Sequence, residues 1–302
     1  MGRNYLKGLA VTLLGVLILS PDALLLEMAH MDAAGTVFWR GFLFLIGMLI
    51  YSKLSGMKSI SLSRLVSAAG VCGVLAIAMT FVTFPIALVY TSAANTLIIA
   101  SCTPMFSAMI SSRLFGVPIP RITKWVIFSC ICGVVIIMGN SVDTGNLFGD
   151  LIALGYALSM AVVVSILNHE SGRSMGREMF MVGAVVAMLG AAPFIDSTVL
   201  QVLDLGLYFP YGLLLFPVAM LLIKEGASRL GAPEVGLILL LEALFGPLWV
   251  WVVLNDSPSM VTLTVGSLYT VLLPCIRCAQ WRWAVVDRKL LKGNTSLLLV
   301  RF

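Results

Sequence analysis

The sequence predicts an all-α integral membrane protein of ten crossings, arranged as two inverted five-helix repeats with both termini cytoplasmic. Three observations carry that prediction. Hydrophobic residues make up 60% of the chain and charged residues only 11%, where an ordinary soluble domain is roughly 25% charged. Apolar stretches of about 20 residues, the length that spans a bilayer, succeed one another through all 302 residues. Every Lys and Arg except Arg40 falls in alternate gaps between these stretches: Arg3 and Lys7; Lys53, Lys58 and Arg64; Arg113, Arg121 and Lys124; Arg173 and Arg177; Lys224 and Arg229; and the tail from Arg277 to Arg301. Basic residues close to helix ends stay on the cytoplasmic side, so these gaps are cytoplasmic and the number of crossings is even. A net charge of +5 spread thinly along one membrane face points to anionic lipid, not to nucleic acid.

Hydropathy and loop charge place helices at 6–28, 34–52, 64–84, 91–112, 121–139, 148–168, 178–195, 205–223, 233–254 and 260–276. The first begins basic and runs apolar from Leu9 to Met28. That is longer than a signal-peptide core and has no small-x-small site behind it, so the segment is expected to be retained as a helix. Pro21 in the first helix, and Pro210 and Pro217 in the eighth, predict kinks or interruptions. Gly149, Ala153, Ala157, Ala161 and Ser165 form a small stripe at helical spacing, and Gly183, Ala187 and Ala191 another; both read as faces for close helix packing. Pro274 and Arg277 leave the last helix barely long enough.

Five helices per half make the second half, 147–302, run opposite to the first, 1–140. The fourth helices of the halves also resemble each other: Thr103-Pro-Met-Phe-Ser107 aligns with Glu242-Ala-Leu-Phe-Gly246. An odd-helix duplication gives an inverted repeat, with a substrate site expected near mid-membrane at the repeat interface.

Charges inside hydrocarbon are costly and need partners. Arg40 lies about as deep below the outer end of the second helix as Asp22 lies below that of the first, so the two can pair, with Glu27 a second candidate nearer the surface. Such a pair either contacts a substrate or coupling ion, or ties helix to helix. Glu242 sits near the bilayer centre, where a carboxyl can carry a proton as its surroundings alternate, or stay neutral and bond a neighbouring helix. Phe245 and Trp249 share its helix face. Thr96, Ala100, Thr103, Ser107 and Ser111 form one stripe with Asn95 beside it, which either lines a polar cavity or bonds across helices.

Enzyme chemistry finds no support. Neither HExxH, nor GxSxG with partners, nor a phosphate-cradling glycine loop occurs, and the two histidines, His30 and His169, fall on opposite membrane faces. Cys72, Cys102, Cys130 and Cys132 read as small apolar residues, and Cys275 with Cys278 as a weak CxxC signal, so no metal or cofactor is expected.

Leu19-Ser-Pro-Asp22, Phe38-Trp-Arg40, Thr103-Pro104, and Pro233-Glu-Val through Glu242 to Gly246-Pro-Leu-Trp249 together resemble the drug/metabolite transporter superfamily, in its ten-helix EamA-type form. The resemblance implies alternating-access movement of a small metabolite or drug-like solute, often outward, through a central cavity in the inner membrane. It places Arg40 and Glu242 where the family often has a charge, and Asp22 in the helix-one motif. The chain departs from the family pattern at Gly116-Val117 and Asn255-Asp256, where Gly-Glu is common, and in its tail with Trp281 and Trp283. Asp22, Arg40, Asn95, Thr103, Ser107, Glu242, Phe245 and Trp249 are therefore the expected contacts for substrate or a coupling ion, with protons the candidate ion and lipid the surrounding partner. The competing expectation is a membrane scaffold or assembly protein that transports nothing.

Overall fold

The computed structural model describes residues 3–264 except 30, 57–61, 117–120, 169, 196–205, 207, 228, 231 and 256–258, and residue 267 beyond. Among the described residues every regular element is a helix. In chain order these are α1 (Arg3–Leu19), α2 (Asp22–Met28), α3 (Ala33–Leu54), α4 (Ala68–Tyr90), α5 (Ala93–Ala100), α6 (Thr103–Phe115), α7 (Arg121–Thr144), α8 (Leu147–Asn168), α9 (Glu170–Ala191), α10 (Phe216–Ala227) and α11 (Ala232–Leu254). Short 3₁₀ turns precede α4 and follow α9, and a π turn, Tyr211–Leu215, leads into α10.

Among the described residues seven helical spans are long and apolar enough to cross a membrane: Tyr5–Met28, Ala33–Leu54, Ala68–Tyr90, Ala93–Leu114, Leu147–Leu167, Met175–Phe194 and Tyr208–Gly226. In α7 and α11 the apolar stretches are shorter, Ile127–Val142 and Leu244–Leu254. The protein is thus an all-helical, multi-pass membrane protein. The expected tenth crossing at 260–276, and with it Cys275, Cys278, Trp281 and Trp283, falls mostly outside the described residues; 260–264 is helical. His30 and His169 also lie outside them.

Two crossings are broken where the sequence carries Ser before or near Pro. Pro21 has no N–H to return to the Leu17 carbonyl, and the Ser20 hydroxyl donates to it instead at 2.9 Å; α1 ends there and α2 begins. The second break is at Ser101–Cys102, where Ser101 Oγ donates to the Ile98 carbonyl at 2.6 Å and Pro104 follows. Pro85, by contrast, is absorbed: α4 starts at its N-cap Ser67, which accepts from Gly70 N at 3.1 Å, and runs through Pro85 to Tyr90. The expected third helix, 64–84, is therefore set too early at both ends. The seventh also needs correction. It begins at Glu170, not 178, so Arg177 is inside a helix, buried, with Nη2 2.7 Å from Glu178 Oε1.

The small stripes are packing faces. Ala153, Ala157 and Ala161 of α8 are wholly buried, and Ser165 nearly so. A Cβ on Gly149 would collide with the Tyr90 carbonyl group, and one on Gly183 would sit 2.5 Å from Ile77 Cγ2. Helices α8 and α9 thus pack close against α4, the arrangement by which small residues substitute for the hydrophobic drive that lipid does not provide. At the centre Phe44, Phe81, Phe180 and Phe216 meet in edge and tilted contacts with centroids 5.2–6.3 Å apart.

Candidate functional site

Asp22 opens α2 directly after the Pro21 break, and Arg40 lies within α3. Both are buried, and Arg40 Nη1 stands 2.7 Å from Asp22 Oδ2. The ion pair anticipated from equal depth therefore forms, although its angle lies outside hydrogen-bond geometry. The flat guanidinium also faces three rings, with Cζ 4.4 Å from the Phe216 centroid, 5.2 Å from Phe84 and 5.7 Å from Phe81. Desolvated contacts of this kind contribute about 2 kcal/mol or more. Asp22 Oδ1, Arg40 Nε and the hydroxyl of wholly buried Tyr208 make no hydrogen bond among the described residues.

The break between α1 and α2 is tied to two other elements. Tyr211, in the π turn, donates to the Leu19 carbonyl at 3.3 Å. Trp249 of α11 donates from Nε1 to Ser20 Oγ at 3.1 Å. Glu242 and Phe245, on the same helix as Trp249, are half-buried. Glu242 is within electrostatic range of Asp22, Arg40, Tyr156 and Tyr211, and has no ion-pair partner among the described residues. One cation and two carboxyls thus converge among aromatic rings inside the bundle.

The remaining expected contacts go elsewhere. Thr103 donates to the Ala157 carbonyl at 3.4 Å, and Ser107 Oγ lies 3.0 Å from Ser165 Oγ, so these two bond α6 to the small stripe of α8. Asn95 joins a second buried cluster. Asp150 takes hydroxyl protons from Thr91 at 2.6 Å and from Ser141 at 2.5 Å. Asn95 Nδ2 reaches Thr91 Oγ1, Ser141 Oγ and Asp150 Oδ1 at 3.3–3.4 Å, while Thr262 donates to Asn95 Oδ1 at 2.6 Å. Asp150 belongs to the described ends of the helices opposite those bearing Lys53, Arg113 and Lys224.

Sequence reading missed Tyr208, Tyr211 and Asp150. The first two had a signal, two tyrosines beside Pro210 in a doubly proline-marked helix; Asp150 had only its place as an acid in the first turn of an apolar helix.

Comparison with known proteins now bears on this arrangement. The sequence of residues 6–139 matches the EamA-like transporter family. That stretch is similar to the EamA-like transporter family. The matched stretch contains Asp22 and Arg40 and runs from within α1 through α6, and the family is one of membrane transporters, not enzymes. Among curated proteins, none matches the sequence. A solved structure described only as the crystal structure of a protein superposes with a TM-score of 0.65 at 14% identity, covering 91% of this chain and 98% of its own. That is a likeness of fold.

Proposed function

We propose that this protein is a secondary active transporter, working outward by alternating access, for a small metabolite or drug-like solute, with Asp22, Arg40 and Glu242 at the heart of its binding site and protons as the coupling ion. The observation that supports this most is the buried Asp22–Arg40 pair with a second carboxyl in electrostatic range. Burying an ion pair is weak as a stabilising device, since apolar residues of equal volume usually do as well or better. Charges kept at membrane depth are therefore better accounted for by a solute or ion pathway.

In this reading Arg40 is shared. With Glu242 protonated, Arg40 stays on Asp22; a solute entering among the rings competes for the guanidinium, and release of the Glu242 proton offers it a second carboxylate. Trp249 and Phe245 wall the site on the α11 side, and Tyr211 and Trp249 hold the α1–α2 break in register with it. The chain is taken as two inverted five-helix repeats, 1–140 and 147–302, which places the site where the halves meet. Thr103 and Ser107 act in packing, and Asn95 acts away from the centre.

Purified protein in proteoliposomes tests the proposal. A panel of metabolites and amphipathic drugs should show at least one solute with flux that responds to a pH gradient and is abolished by Arg40→Gln. Flux of no solute in vesicles holding folded protein would favour the scaffold alternative.

A further inference from the structure

Two tyrosines of one segment use their hydroxyls differently. Tyr211 commits its own to the Leu19 carbonyl. Tyr208 is wholly buried, and its hydroxyl has no hydrogen-bond partner among the described residues. Burying a hydroxyl without a partner lowers stability, and phenylalanine would fill the same place without that loss. The oxygen is therefore accounted for by a group that the described residues do not supply. We propose that Tyr208 is a specificity-determining residue of the central site, reading an uncharged solute group that both donates and accepts hydrogen bonds, an amide or a hydroxyl; the proposal rests on the transport reading.

The ring is closely packed where it stands. Its centroid lies 5.8 Å from that of Tyr211, with the planes 53° apart. One turn further on is Gly212, where a Cβ would stand 3.0 Å from both Tyr208 Cε1 and Leu43 Cδ1. Leu43 is three residues along α3 from Arg40, so the tyrosine sits beside the helix that carries the guanidinium. From there it acts electrostatically on both Arg40 and Asp22. Those two residues also keep open groups: Asp22 Oδ1 and Arg40 Nε are buried without a hydrogen bond. An acceptor, a donor and a hydroxyl that can be either are thus left open in one neighbourhood.

Charge balance selects among solutes. Asp22 and Arg40 neutralise each other at 2.7 Å, and a protonated Glu242 adds no charge. An anion or a cation entering among the rings would be desolvated with no free counter-charge. A zwitterion would need a full counter-charge for each of its ends, which separates the existing pair. A hydrocarbon would leave all three open groups unpaired, and a site built to hydrogen-bond rejects an analogue that lacks the bonding group. A neutral amide or hydroxyl satisfies open groups of both kinds while Arg40 Nη1 stays on Asp22 Oδ2.

Four probes that share a benzene ring test this: benzamide, benzoate, benzylammonium and phenylglycine. Their binding is measured by equilibrium dialysis against purified full-length protein carrying Glu242→Gln, which keeps that side chain neutral. Benzamide should bind about tenfold tighter than any of the other three. Adding Tyr208→Phe should weaken benzamide about tenfold, the loss of one buried hydrogen bond, while the thermal unfolding midpoint stays level or rises. A charged probe bound as tightly as benzamide, no binding of benzamide, or benzamide binding indifferent to Tyr208→Phe overturns the proposal. So does a midpoint that falls with Tyr208→Phe, since the hydroxyl would then serve the fold. Binding is read without flux, so protein that binds benzamide in this way and carries no solute into vesicles loses the transport reading alone. Protein that carries ionic solutes but binds no benzamide keeps transport and loses the proposal.

Discussion

A double-mutant cycle across Asp22 and Arg40 puts the central pair to its hardest test. Arg40→Gln removes the cation and leaves the Asp22 carboxylate buried without a partner, which costs about 3–5 kcal/mol. Asp22→Asn leaves the guanidinium stacked on Phe216, Phe84 and Phe81 at 4.4–5.7 Å. Those rings go on holding a desolvated cation, so the loss should be smaller, about 2–3 kcal/mol, given that ring contacts contribute about 2 kcal/mol or more. The double variant carries two neutral amides of nearly unchanged volume and strands no charge, so its cost should be well below the sum of the singles. A coupling energy of at least about 2 kcal/mol follows, several times the roughly 0.3–0.5 kcal/mol within which independent sites add. Reversible unfolding in mixed detergent micelles measures stability, and flux is measured in parallel. Flux should be lost in all three variants while stability returns in the double. Additive stabilities, or a double variant that transports, would refute the shared-cation reasoning.

Further outcomes are expected. Glu242→Gln should leave the fold intact and remove the dependence of flux on a pH gradient; a variant that keeps the full dependence would exclude Glu242 as the proton carrier. Gly47→Ala should destabilise by about 1–3 kcal/mol, because its Cβ would meet the Leu213 carbonyl oxygen and Pro217 Cγ, the latter at 2.7 Å; thermal unfolding checks it. Ser107→Ala should leave flux unchanged and cost about 0.6 kcal/mol, typical of a hydrogen bond between membrane helices, since Ser165 still donates to the Ala161 carbonyl. A variant that loses transport at unaltered stability would return Ser107 to the binding site.

The helical, multi-pass character could be read from one-dimensional signals, because hydropathy records the thickness of a bilayer. The Asp22–Arg40 pair was legible for the same reason: depth is counted along each helix, and two unpaired charges at one depth on neighbouring helices have few other partners. Breaks at Pro21 and in the eighth crossing were legible because a missing N–H is a local fact. Pairings across helices were not. Thr103 and Ser107 formed a polar stripe equally suited to a cavity or to a neighbour, and only the neighbour's identity, the Ala157–Ser165 face of α8, decides their bonds. Asp150 joins residues 9, 55 and 59 positions away, and no periodicity encodes such a meeting. Arg177 fell to a subtler fault: a base near a helix end looks the same in a loop as in the first turns of a helix that starts early.

The π turn at Tyr211–Leu215 makes the length of that segment, and not merely its composition, a determinant of the centre. At about 100° per residue, Tyr208 and Phe216 would stand about 80° apart around an unbroken α-helix. A π turn takes up one residue, reducing the offset to about 20° and turning both toward Arg40, to which Phe216 is stacked and Tyr208 electrostatically coupled. Deleting one residue between 211 and 215 would leave ordinary helical winding with both still on that face, whereas inserting one would rotate Tyr208 by about 100° away from it. The guanidinium would then lose its neighbour Tyr208 to an insertion that replaces no side chain around it.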